Sequence, residues 1–408
     1  MHNSRHLACD GGMPRFQSPF VLKHTWGESV KQLLDEVIAD GRVARFYGGP
    51  LGRRFEQEFS TKQGAADGVA MNSGTSALHI CYRLCGVGPG DEVIVPAHAY
   101  VSALSAVLML DAIPVLCDVD PITYGLDPNA LDNCLSPHTK VVTAVHLYGR
   151  PCNVDEIKQR AARFGATVIE DCGQGHGAEL YGHPVGALAG MSAWSFFEIK
   201  HVCTGEGGMC LFEDEAMATR ARSLIYKGKG LGWWDYLEMG YSYMFTEAQA
   251  AFGLASLERY DEQVRIRRKI EAIYCEILAD APGIEVLVTP QGVVSGAFKT
   301  PFRVTRNLRH RVEDFLKACD AENIPIQKGY PALHNLEWIR NRCHRAWTLY
   351  ENRDIQIDYS PDKLPVASDV CGRTLSLGTG PGITVEDARE IAITVRDVAF
   401  SVLKHKQP

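Results

Sequence analysis

Between about residue 66 and residue 171, short apolar runs alternate with longer stretches whose apolar positions recur every three or four residues. The runs EVIVP (92–96), IPVLCDV (113–119), KVVTAVHLY (140–148) and ATVIED (166–171) are nearly continuous in Val, Ile and Leu, as in strands covered on both faces. Between them, SALHICYRLCG (76–86), SALSAVLMLD (102–111), NALDNCL (129–135) and VDEIKQRAARFG (154–165) carry helical spacing. That rhythm predicts a βαβ series over a mostly parallel sheet. SAWSFF (192–197) and GMCLFED (208–214) flank a Gly-rich turn and predict two more strands that meet in a hairpin.

From residue 246 a 3.6-residue period continues for over 30 residues with no Gly or Pro after Gly253, which predicts one long helix bridging two domains. The strand-like GIEVLV (283–288) and FKTPFRV (298–304), a helix over 309–323 and a last helix over 384–403 complete a second, smaller α/β unit. The expected fold is α/β: a large domain over residues 1–260, N-terminal segment included, and a small C-terminal domain over 261–408.

Composition narrows the partners. The 408 residues hold 42 Lys and Arg against 49 Asp and Glu, a net charge of −7 with no basic block. Nucleic acid is therefore not expected as a partner. No window reaches the roughly 18 uninterrupted apolar residues of a membrane span, and the start MHNSRHLACDGGMPRF has no apolar stretch like that of a signal peptide. The thirteen cysteines are scattered, and the closest pair, Cys81 and Cys85, is spaced i,i+4. They read as buried thiols of a cytoplasmic protein, not as a disulfide or metal framework.

Gly86-Val87-Gly88-Pro89-Gly90 follows a helix and leads into a strand, the reverse of a dinucleotide loop, so it reads as a turn. Asn72-Ser73-Gly74-Thr75-Ser76-Ala77 places a glycine and hydroxyls where a helix begins, an anion site or a plain cap by Thr75 or Ser76. Asp171 ends a strand, where open α/β sheets bind ligands. Lys200 stands between a strand end, SFF, and a GEGG loop, where desolvation would make its amine nucleophilic. Singly, each has an ordinary reading as a cap, turn residue or solvated lysine. Together, an anion loop, an aromatic at a strand end (Tyr100), an acid and a lysine, in that order, supply what pyridoxal phosphate requires.

The blocks GTSALHI, VGPGDEVIVPAHAYVSA, VLCDVDPITYGLDP, VVTAVHLYGRP, VIEDCGQGHGA, SFFEIKHVCTGEGG and FTEAQAAFGLASLERYDE resemble, in order, those of the DegT/StrS-type sugar aminotransferases. The resemblance implies a fold-type I pyridoxal-phosphate enzyme, homodimeric with shared active sites. It makes Lys200 the residue that bonds the cofactor and moves the proton, and Asp171 the partner of the ring nitrogen. Gln174 would lie near the ring's 3-oxygen and Tyr100 would stack on the ring. Gly74, Thr75, Ser76 and Ser195 would surround the phosphate. His176 and Glu206 fall in family blocks around the site, while Tyr330, His334 and the loop KGKGLGWW (227–234) are substrate-side candidates; no metal is implied. Two departures stand out. GYSYMF has Ser242 where the family carries an Asn reaching the neighbouring subunit's cofactor, and Ala99 precedes the stacking aromatic. Sugar 3-dehydratases of the family have His at the lysine position, so Lys200 points to aminotransfer. The start LACDGGMPRF, DGRVARFYGGPLGRRFEQEF and IPIQKGYPALHN look most like the branch aminating keto-cyclitols such as scyllo-inosose in aminoglycoside pathways, with Gln or Glu as amino donor. A nucleotide-linked keto-sugar is the alternative acceptor, and a non-catalytic sensor the alternative of a different class.

Overall fold

The computed structural model describes residues 6–404, except 22, 25, 27, 28, 45–48, 231, 233 and 349–357. Seven strands build the main sheet: β1 (Asp67–Met71), β2 (Glu92–Pro96), β3 (Ile113–Cys117), β4 (Thr139–Val145), β5 (Thr167–Asp171), β6 (Met191–Ser195) and β7 (Gly208–Phe212). Their order is β1-β7-β6-β5-β4-β2-β3, and only β7 runs against the rest, pairing antiparallel with β1 and β6. The predicted hairpin is therefore β6–β7, and the other neighbours pair parallel.

The sheet is parallel because helices cover both faces, which is why its strands read as unbroken apolar runs. Along β2, Val93 and Val95 pack with helices α1 (Gly74–Leu84) and α2 (Ser102–Leu108), while Ile94 faces the other way toward Val154 and Ile157 of α3 (Val154–Ala162). A third cluster, on helix Pro50–Gln63, joins Phe55 and Phe59 to Trp194, Phe196 and Phe245.

The structure departs from expectation in the helices that follow. The long helix is two, α4 (Glu247–Leu257) and α5 (Tyr260–Leu278), separated at Glu258 and Arg259, whose φ of −101° and ψ of 7° leave the helix. The halves bury different surfaces: α4 is buried nearly all round, whereas α5 buries Val264, Arg267, Ile270, Tyr274 and Leu278, a single stripe. One straight rod cannot satisfy both, and no Gly or Pro marks the break. The helix expected over 309–323 is likewise shorter, α6 (Val312–Ala321), behind a separate turn over Arg306–Arg309.

Four further strands, β8 (Ile284–Val286), β9 (Lys299–Val304), β10 (Ile326–Lys328) and β11 (Thr374–Gly378), form an antiparallel sheet in the order β8-β9-β11-β10. Helices α5, α6 and α7 (Val385–Lys404) cover it. The N-terminal segment, grouped with the first unit on chain order, packs here instead. Leu7 joins this core with Phe16 and Phe20 against it, and the Glu322 carboxylate accepts from the Ala8 and Arg15 N–H groups at 2.6 Å each.

Gly186 is pinned by the main sheet: its φ is +97°, its N–H donates to Glu170 at 2.7 Å, and a Cβ there would stand 2.4 Å from Trp194. Gly182 has a similar φ of +82° with open space around it. Gly182→Ala is expected to cost about 1 kcal/mol and Gly186→Ala about 3 kcal/mol or more, since only the latter adds a clash to the backbone penalty. Urea-unfolding midpoints of the two variants check this; equal losses would refute it.

Candidate active site

The carboxyl ends of β1, β2, β4, β5 and β6 open onto one cavity of about 250 Å³. It is lined by Gly74, Thr75, Tyr100, Asp171, Gln174, Ser195, Lys200, Glu206 and Tyr330, nine of the residues singled out from the sequence. Such a position, outside the carboxyl edge of an open sheet, is where α/β folds bind ligands.

The anion cradle is the start of α1. Ser73, not Thr75 or Ser76, is the cap: its backbone is extended and its Oγ accepts the Ser76 N–H at 3.1 Å. Ser76 does not line the cavity; its hydroxyl donates to Asn72 Oδ1 at 2.7 Å and so stiffens the turn. Gly74 is required by proximity, because a Cβ would stand 2.8 Å from that of Ser195. The first N–H groups of a helix have no partner within it, and Gly74 and Thr75, the first two residues of this one, line the cavity, a neutral site suited to a phosphate.

Asp171 and Lys200 are the buried acid and base of the cavity. Burial raises the Asp171 pKa above the usual carboxylate range, opposed by the Gly173 N–H, which its Oδ1 accepts at 2.9 Å, and by Lys200. Lys200 is 8% exposed, and burial lowers its pKa to about 7 against the opposing pull of Asp171. Its Nζ lies 4.3 Å from the centre of the Phe298 ring. The loop carrying it is anchored from behind: Arg267 donates to the carbonyls of Ile199 and Lys200 at 3.2 and 3.3 Å, and His201 Nε2 donates to Gly296 O at 2.7 Å.

An aromatic and amide wall closes one side. Gln174 Oε1 accepts the Tyr148 N–H at 2.7 Å, and its Nε2 donates to the Tyr330 hydroxyl at 3.2 Å. Tyr330 stacks on Tyr148 at 5.3 Å and meets Tyr100 edge-on at 5.8 Å. Tyr100 stays 53% exposed, a ring face left open beside the cavity. The exposed Glu206 is held by its carbonyl, which accepts from Thr204 Oγ1 and Gln249 Nε2.

Three sequence candidates lie elsewhere. His176 is buried behind the wall, donates through Nε2 to Ser195 O at 2.9 Å and stacks on His201. Burial lowers its pKa to about 3, so it is a neutral packing group. His334 is buried against Ser368, which it meets at 3.1 Å, away from the cavity. Ser242 is exposed, pairs with Tyr226 and does not line this chain's cavity. In the loop 227–234, Leu231 and Trp233 lie outside the described residues.

Sequence reasoning missed His146 and Arg267. His146 lines the cavity and donates to Glu170 Oε2 at 3.1 Å; it sits in the quoted VHLYGRP block, a strand end like that of Asp171, which could have singled it out. Together with Cys172, these groups lie within 4.8 Å of one another, but Glu170 is already engaged by Gly186 and Ala189 N–H groups. Arg267 gave no signal, being one arginine in a charged helix.

The residues fit pyridoxal phosphate: a desolvated amine that loses its proton near neutrality, a buried acid, an exposed aromatic ring and an uncharged helix start at Gly74. A desolvated lysine facing an acid at this edge of a seven-stranded sheet defines a pyridoxal-phosphate-dependent enzyme of the aminotransferase fold. Residues 25–396 match the family described as DegT/DnrJ/EryC1/StrS aminotransferases. The chain is 33% identical to L-glutamine:2-deoxy-scyllo-inosose aminotransferase of Streptomyces paromomycinus over 92% of each chain. It is 40% identical to GDP-perosamine synthase of Caulobacter vibrioides over 55% of this chain and 61% of that one. The crystal structure of DesI in the presence of its TDP-sugar product superposes with a TM-score of 0.85 at 28% identity, covering 97% of this chain and 96% of that one. The protein belongs to the DegT/DnrJ/EryC1/StrS aminotransferase family and is a pyridoxal-phosphate-dependent aminotransferase. Among the described residues no helix is long and apolar enough to cross a membrane.

The lysine's low pKa sets a pH dependence. An amine with a folded pKa of about 7 against an ordinary 10.5 penalises folding fully below pH 7, and the penalty fades as pH rises through that window. In the cofactor-free protein, Lys200→Met is expected to raise the melting temperature at pH 6.5 and to lose most of that advantage by about pH 10. A pH-independent difference would remove the claim that Lys200 is desolvated.

Proposed function

We propose that the protein moves an amino group from glutamine or glutamate to the ketone of a keto-cyclitol or keto-sugar, in two half-reactions that share Lys200. The observation that carries this reading is the buried amine of Lys200, whose pKa burial lowers to about 7, in one cavity with Asp171 and the start of a helix. Pyridoxal phosphate, when bound, supplies an electron sink conjugated to the reacting nitrogen. Lys200 would hold it through a covalent bond to Nζ, and the same Nζ, once free, would carry the proton in each half-reaction. Asp171 would pair with the ring nitrogen and keep it protonated, an interaction that its buried position would strengthen. Gly74, Thr75 and Ser195 would hold the phosphate with Ser76 ordering their turn, Tyr100 would cover the ring, and Gln174 would serve the 3-oxygen. Glu206 and Tyr330 lie on the substrate side; His176 and His334 act through packing. The two domains are read as residues 1–260 and 261–408, with the extreme N-terminal segment lying on the second.

A keto-cyclitol is favoured as acceptor because a relative alignable over nearly its whole length is named for 2-deoxy-scyllo-inosose. The relatives named for nucleotide-linked sugars make that class the second reading. A cytoplasmic location agrees with thirteen cysteines that are all free thiols.

Lys200→Ala is expected to abolish both the absorption of the lysine-bound cofactor and turnover, with a rate loss of about a thousandfold or more. Retained absorption and turnover would overturn the assignment; a wild-type spectrum unmoved by glutamine and glutamate would favour a sensor.

The active sites are shared in a homodimer. Leu237 and Met239 expose 68% and 70% of their surface beside the exposed Ser242, an apolar edge suited to a second copy. Light scattering at micromolar concentration is expected to give twice the chain mass, and an active monomer would contradict it.

A further inference from the structure

Lys299 opens β9 and is half buried. Its ammonium donates to the Gln327 side-chain oxygen at 2.8 Å and lies 5.8 Å from the centre of the Tyr330 ring. Tyr330 lines the cavity with Lys200, and the residue preceding Lys299, Phe298, has its ring against Lys200 Nζ. Phe298 and the first residue of β9 thus bring a second lysine to the wall where the first one reacts. Burial lowers the Lys299 pKa, and its charge in turn helps to lower that of Lys200.

Among the described ion pairs, none involves Lys299; its hydrogen-bond partner is a neutral amide. An ammonium withdrawn from water beside a neutral acceptor and a ring face is under-compensated, so an anion reaching the wall gains more there than at a solvated lysine. Of the side chains lining the cavity, Lys200 is the only lysine or arginine, and it must stay uncharged to react. A keto-cyclitol has no charge to offer, whereas an amino-acid donor carries a carboxylate one carbon from the amine that must reach Lys200.

We propose that Lys299 is the docking group for the α-carboxylate of the amino donor, a positioning and specificity residue for the first half-reaction. The proposal rests on the aminotransferase reading above.

The test uses the holoenzyme with Lys299→Gln and Lys299→Arg. Glutaramate, which is glutamine without its α-amino group, binds without reacting, and its Kd by calorimetry is expected to rise ten- to hundredfold in Lys299→Gln and only a few-fold in Lys299→Arg. In the glutamine half-reaction, followed by loss of the lysine-bound cofactor's absorption, KM should rise by a similar factor with kcat nearly unchanged. The ketone half-reaction should keep its rate. Unchanged glutaramate affinity in Lys299→Gln overturns the proposal, as does weakening confined to the ketone half-reaction, which would assign the lysine to an anionic acceptor such as a nucleotide-linked sugar. Loss of glutaramate affinity that Lys299→Arg fails to restore even in part would show a packing role and overturns it too. A wild-type holoenzyme inert to glutamine and glutamate would instead bring down the aminotransferase reading itself.

Discussion

The amine of Lys200 is held out of water, and much of the surrounding structure exists to make that position stable. Burying an ammonium is costly, so the lysine gives up its proton near neutrality instead of near 10.5, and its opposing acid, Asp171, is itself pushed toward protonation. Neither group would stay fixed on a free loop. The loop after β6 leaves the carbonyls of Ile199 and Lys200 facing inward, and Arg267 satisfies both. That guanidinium is itself fully buried without a carboxylate, and its pKa falls to about 9. The chain thus accepts a second desolvated cation to keep the first in place, a cost that a purely structural loop would not carry.

The break between α4 and α5 follows from the same requirement. Ser256 at the end of α4 donates to the His201 carbonyl and accepts the Cys203 N–H, while Arg267 on α5 reaches the two preceding carbonyls. A single straight helix would place these groups on faces set by one axis; two helices let the Lys200 loop be gripped from both. The C-terminal sheet takes part through Tyr330. Its hydroxyl meets Gln174, its N–H donates to Tyr148 Oη at 3.2 Å, and Tyr124 meets Thr374 at 2.8 Å. Movement of that sheet would therefore be felt at the Gln174 amide.

The parallel sheet was legible because burial on both faces writes itself as unbroken Val and Ile runs, and β2 to β5 appear where those runs stand. Lys200, Asp171 and the α1 cradle were legible because their chemistry is ordered along the chain. What the sequence concealed are features decided by distant partners. The break at Arg259 has no local signature. His176 looked like a site residue because it falls in a family block around the site, but its ring turns back to Ser195 O and the stack with His201. His334 was drawn from a substrate-side block, yet it packs on Ser368 from a helix that periodicity did not reveal. Arg267 is one charge among many in α5 until the fold shows which face is buried.

The cavity's scarcity of cations also has a physical reason. A lysine or arginine in the phosphate cradle would bind that anion strongly, but in a low-dielectric pocket its charge would act on Lys200 as well. The start of α1 offers backbone N–H groups and hydroxyls, which attract an anion through fixed partial charges that fall off within a turn. Neutral donors there leave the Lys200 amine governed by burial, Asp171 and the two more distant cations, Lys299 and Arg267. An uncharged helix start and a desolvated lysine thus separate two tasks that a single cationic pocket would confuse: attracting an anion, and presenting an amine that titrates near neutrality.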